Sequence, residues 1–129
     1  MRKINILVHL SIPLFVLHLL EEIKTGFYKT DLSIQILSKY LNTTPEITFF
    51  VIQIILFVFL GILLFIIFSK KQIPFFLVLF LDIILLYEFL HIYEAIRIGG
   101  YTSGVITGTI LGIMGLILFY ITFRKKSNK

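Results

Sequence analysis

Apolar residues in this chain run in four long blocks, about 4–22, 46–68, 73–97 and 104–123. An α-helix needs about 20 apolar residues to cross a hydrocarbon core of about 30 Å. The pattern therefore predicts an all-α polytopic membrane protein, a four-transmembrane-helix bundle. The blocks leave little room for a soluble domain, so residues 1–129 read as a single membrane domain. The first block follows Arg2 and Lys3 and imitates a secretory signal. It ends in Leu19-Leu20-Glu21-Glu22-Ile23, without the small residues of a cleavage site, and is kept as the first span.

The polar stretches between blocks carry helix punctuation. In the first connection Asp31 is placed to cap a short helix with Leu32, Ile36, Leu37, Tyr40 and Leu41 on one face, a pattern suited to the bilayer surface. Thr44-Pro45-Glu46 reads as a helix start, with a capping hydroxyl, an early proline and a carboxylate at the positive end of the dipole. Ser69-Lys70-Lys71-Gln72 and Pro74 form a tight connection, Gly99-Gly100 ends the third helix, and Arg124-Lys125-Lys126 stops the fourth.

Composition fits this picture: 58% of residues are hydrophobic, more than soluble domains carry. The net charge of +5 sits beside apolar blocks. That points to anionic lipid headgroups of the bilayer, with no nucleic-acid partner. Eight basic residues (Arg2, Lys3, Lys70, Lys71, Arg124, Lys125, Lys126 and Lys129) fall on one side, and four (Lys24, Lys29, Lys39 and Arg97) on the other. The positive-inside rule then places both termini in the cytoplasm of a multi-pass cell-membrane protein. There is no cysteine, which removes disulfides, thiolate metal sites and thiol nucleophiles.

Five of the seven acidic residues, Glu21, Glu22, Asp82, Glu88 and Glu94, lie within or at the ends of spans. Each costs at least about 2.5 kcal/mol to insert, which makes it a functional-site candidate. On the first helix Glu21 and Glu22 flank His18, about 60° to one side and 40° to the other. On the third, Glu88, His91 and Glu94 occupy an arc of about 120°. Both clusters come out at the same level, about 26–27 Å along their helices, in the outer leaflet. Glu and His three residues apart on bundle helices is the arrangement of carboxylate-bridged metal sites. Oxygen and imidazole donors suit iron, manganese or zinc. The candidate ligands are His18, Glu21, Glu88 and His91, with Glu22, Glu94 and Tyr101 as candidate catalytic groups. The plainer alternative is that these pairs hydrogen-bond two helices together.

Other polar positions carry less. His9 lies on the opposite face from His18, as Asp82 does from His91. Gln53 is placed to support the cluster, and Arg97 to neutralise Glu94. Gly104, Gly108 and Gly112 recur every four residues, which permits close helix–helix association within the bundle or between copies. Tyr101, Thr102, Ser103 and Thr107 line the outer end of the fourth helix.

His18-Leu19-Leu20-Glu21-Glu22 resembles the signature of the HXXEE family of small, mostly bacterial membrane proteins of unknown function. The length, the Glu/His-bearing later helix and the segment Tyr101–Thr107 also resemble that family, with Ser103 where its pattern carries proline. The resemblance implies His18, Glu21 and Glu22 as signature residues and implies no reaction. Three functions fit the sequence: a membrane-embedded metalloenzyme acting on a lipid or other apolar molecule, a proton- or metal-coupled carrier, and a small assembly subunit.

Overall fold

A computed structural model describes residues 2–127. Met1, Asn128 and Lys129 lie outside the described residues, so Lys129 of the basic tail does too. All regular structure among the described residues is helical: α1 (Arg2–Thr25), a 3-10 turn (Phe27–Lys29), α2 (Leu32–Tyr40), α3 (Pro45–Phe68), α4 (Phe75–Tyr87), α5 (Leu90–Ile98) and α6 (Val105–Ser127). Among the described residues, four stretches are long and apolar enough to cross a membrane: Lys3–Thr25, Pro45–Phe68, Phe75–Ile98 and Val105–Arg124.

Local chemistry sets the ends. Asp31 accepts from the Ile34 amide at 2.9 Å and starts α2. Thr44 accepts from the Ile47 amide at 3.2 Å, with Pro45 in the first turn of α3. Each cap satisfies an amide the helix leaves unpaired. Gly99, at φ 72°, closes α5 in the left-handed region that favours glycine. On α2, Ile34 and Ser38 turn inward, while Leu32, Ile36, Tyr40 and Leu41 stay exposed.

The third span departs from the single uninterrupted helix of residues 73–97 expected from hydropathy. It divides at Glu88-Phe89 into α4 and α5. The amides of Glu88, Phe89, His91 and Ile92 bond to carbonyls three residues back, at 3.1–3.3 Å. This is a 3-10 tightening, in which side chains three apart eclipse.

Neighbouring helices pack in the order α3–α1–α6–α4. Val8, Phe15, Leu60, Leu63, Leu81 and Leu111 fill the core. The glycines of α6 let the broken helix approach. A Cβ on Gly108 would lie 3.3 Å from the Glu88 carbonyl, on Gly112 2.8 Å from the Phe89 ring, and on Gly115 3.1 Å from the Leu86 amide. The stripe is thus occupied by the chain's own third span. Between α3 and α4, consecutive in sequence, lies a crevice rather than a close seam. The rings of Phe59 and Phe80 meet across it at 5.0 Å.

Candidate metal centre

Residues from α1 and the α4–α5 junction converge at the end of the bundle that carries the α1–α2 and α5–α6 connections. His18, Glu22, Glu88 and His91 are all buried, none more than 7% exposed. His18 Nε2 lies 3.3 Å from Glu22 Oε1 and 3.0 Å from Glu88 Oε2. His91 Nε2 lies 3.7 and 3.4 Å from the same two oxygens. The imidazole rings meet edge to face, 5.0 Å apart. His18, Glu22 and His91 each offer a ligand atom, all within 4.8 Å of one another.

The helix break contributes to this geometry. On a regular α-helix Glu88 and His91 would stand about 60° apart. The 3-10 hydrogen bond from the His91 amide to the Glu88 carbonyl, 3.2 Å, brings both side chains to one side.

The two glutamates after His18 separate. Glu22 faces His91 and Glu88, whereas Glu21 faces the start of α6. There Glu21 Oε2 accepts from the Thr107 amide at 3.2 Å and from the Thr107 hydroxyl, and Oε1 accepts from Tyr101 at 2.5 Å. A carboxylate at a helix N-terminus satisfies amides left unpaired there. The Glu21 hydrogen bond pushes the Tyr101 phenol up to about 12, so it remains a donor at neutral pH.

Thr107 joins the two glutamate environments. Its one hydroxyl proton goes to Glu21, so its oxygen must accept from His18 Nδ1, 2.8 Å away. That fixes His18 with its proton on Nδ1 and turns Nε2 toward Glu22 and Glu88. Gln53 Nε2 donates to Glu22 Oε2 at 3.2 Å, which holds the carboxylate and leaves Oε1 toward the histidines. The Thr102 hydroxyl donates to the His91 carbonyl at 3.2 Å. Glycine is required over the rings: a Cβ on Gly104, whose φ is +77°, would sit 2.7 Å from His18 Cε1 and 3.0 Å from His91 Cε1.

Of the seven candidate residues, the structure gathers His18, Glu22, Glu88 and His91. It puts Glu21 and Tyr101 one layer behind His18. Glu94 lies outside the cluster, where its carboxylate accepts from Arg97 at 3.2 Å. Thr107 was legible only as a lining hydroxyl. His9 is remote, with Nδ1 2.7 Å from the Asn5 carbonyl and its ring edge-on to Phe68.

The cluster opens into a cavity of about 470 Å³ between α3 and α4, beneath α2. His18, Glu22, Glu88 and His91 line its polar end, and Leu56 and Phe59 are among its apolar walls. Ile55, Phe80 and Ile83 line it too and are more than half exposed. On spans in a bilayer, their exposed surface faces acyl chains.

Residues 9–119 match the family described as protein of unknown function with HXXEE motif, and the chain belongs to that family. No curated protein and no solved structure matches it.

Proposed function

For this member of a family without an assigned reaction, we propose a membrane-embedded metalloenzyme. Its divalent iron, manganese or zinc would be held by His18, Glu22 and His91, with Glu88 facing the open fourth position. Its substrate is a lipid or other apolar molecule that enters between α3 and α4.

The observation that carries this reading is the set of four nitrogen–oxygen separations, 3.3, 3.0, 3.7 and 3.4 Å. Ligands held about 2.0–2.1 Å from a tetrahedral metal stand about 3.3–3.4 Å apart. Three of the four separations exceed the usual 2.7–3.2 Å of an N–H···O bond. Metal ligation would require both imidazoles neutral, and the two carboxylates would then leave a charge of −2 for a divalent cation to cancel. The outer shell agrees as well, because metal-ligating histidines donate their other ring N–H to a fixed acceptor, as His18 does to Thr107.

Two histidines and one carboxylate form the donor set of catalytic sites that keep an open position. Such a metal supplies Lewis-acid activation of an oxygen beside it. Glu88 then faces that position and exchanges protons there. The cavity walls supply the apolar surface for the substrate, and Ile55 and Ile83 mark its mouth toward lipid.

A second reading, an ion-coupled carrier, draws on Asp82. This residue is 1% exposed within α4, and its Oδ1 has no hydrogen-bond partner. A carrier requires Asp82 to load and release ions; the metalloenzyme does not. The glycine stripe, already filled by α4 and α5, gives little support to an assembly subunit.

Elemental analysis of detergent-purified protein tests the centre. Wild type should hold near-stoichiometric iron, manganese or zinc, and the His18→Ala/His91→Ala variant should lose it while keeping its helicity. No metal in wild type after reconstitution would overturn the reading. An Asp82→Asn variant that kept its metal but lost all function would favour the carrier.

A further inference from the structure

A second, smaller cavity of about 180 Å³ reaches the same centre from another direction. It shares Phe27, Asp31, Ser33, Tyr87 and His91 with the first cavity. Its remaining lining includes Tyr93, Glu94 and Arg97, at the end of the third span where α5 leaves the apolar block. His91 therefore lines two spaces, of which the smaller is the more polar. One is walled by apolar residues of α3 and α4 and bordered by exposed aliphatic side chains. The other adds Glu94 and Arg97 to the shared Asp31, beside Leu32 and Leu90.

We propose that the smaller cavity is the aqueous port of the centre, through which hydrated divalent cations reach His91 while the organic substrate uses the lipid-side crevice. This rests on the metal-site reading above. Three features favour a cation. The lining carries two carboxylates against one guanidinium, so its field attracts positive charge and repels anions. Glu94 engages Arg97 at 3.2 Å, so the guanidinium is already engaged by a carboxylate. A hydrated ion cannot shed its water against the apolar walls of the lipid-side crevice without a large desolvation cost, whereas the smaller cavity places Asp31, Ser33, Glu94 and Arg97 around its short path to His91. The ring of Phe27, 5.2 Å from that of His91, forms part of the wall between the two routes.

Because the chain has no cysteine, a single introduced thiol reports access cleanly. In lipid nanodiscs, which leave both faces in water, a His91→Cys variant is treated with cationic or anionic membrane-impermeant methanethiosulfonates. The cationic reagent should react within about a hundredfold of its rate on an exposed Tyr93→Cys control, and faster than the anionic one. Adding Leu32→Trp, on a wall that belongs to the smaller cavity and not the larger, should slow it at least about tenfold, whereas Ile55→Trp at the lipid mouth should not. Phe27→Cys serves in the same way if His91→Cys does not fold. No modification, or slowing by Ile55→Trp alone, would overturn the port.

The otherwise wild-type chain gives the second arm. Leu32→Trp should slow Co²⁺ loading without changing the final stoichiometry. Loading at the wild-type rate overturns the port alone. A wild type that takes up no Co²⁺ sinks the metal reading, and the thiol rates still decide whether water reaches His91 by this route.

Discussion

Thr107→Val is the substitution that most directly tests how the site is organised. Valine keeps the shape of threonine and removes the hydroxyl. The hydroxyl makes two bonds at once, to Glu21 Oε2 as donor and to His18 Nδ1 at 2.8 Å as acceptor. Without it, the part-buried Nδ1–H has no acceptor, and the ring is free to move its proton to Nε2, where a metal would bind. Loss of an outer-shell partner of this kind typically costs 10–100-fold in metal affinity, about 1.4–2.7 kcal/mol. Glu21 keeps Tyr101 and the Thr107 amide, so the cap of α6 survives and the fold should persist. The assay is a chelator-competition titration of Co²⁺ or Zn²⁺ on purified protein, with circular dichroism as the fold control. Thr107→Ser retains the hydroxyl and should stay within a few-fold of wild type. If valine and wild type bind metal equally, or if serine fails as badly as valine, the tautomer argument is wrong.

Gly108→Ala puts a methyl 3.0 Å from His91 Cδ2 and should cost about 1–3 kcal/mol of thermal stability or the equivalent in metal affinity; Gly61→Ala, with open space around it, should be neutral to stabilising. Glu22→Gln should release the metal, whereas Glu88→Gln should keep most of it and lose turnover, which metal content and activity together would show. Phe89→Ala empties the ring that packs over Gly112 and should cost about 3–5 kcal/mol in a tightly packed seam, with metal lost before helicity on heating. Tyr101 has a raised folded pKa, so its bond to Glu21 contributes stability below pH 10 that is lost as pH rises through about 12; Tyr101→Phe should remove the latest phenolate step from an absorbance titration.

Much of this was legible because it depends on one helix at a time. Block length gave the four spans, and Asp31, Thr44 and Gly99 announced their boundaries through cap chemistry that needs only neighbours in sequence. His18, Glu88 and His91 stood out by being ionisable at apolar positions. The choice between Glu21 and Glu22 was not legible, since both lie within about 60° of His18. Only the placement of α5 on one side and α6 on the other decides which carboxylate meets the histidines. Glu94 misled for a related reason: its period fits the cluster, but it stands about 60° around α5 from His91 and almost a turn farther along, where Arg97 engages it. Thr107 gave no signal of its own, because its importance comes from two partners 86 and 89 positions away.

The break at Glu88-Phe89 and the glycines of α6 form one device. A regular third helix would carry Glu88 and His91 about 60° apart on neighbouring positions. Tightening the turn brings them nearer to eclipsed, and the backbone at Leu86 and Glu88 lies close against α6. A partner with side chains would obstruct that approach. Gly108 and Gly115 instead leave room for the Glu88 carbonyl and the Leu86 amide, while Gly112 receives the Phe89 ring. The four-residue glycine spacing that reads as a generic helix-packing motif thus has a local cause in this chain. It makes room for the distorted helix that points a glutamate and a histidine at His18.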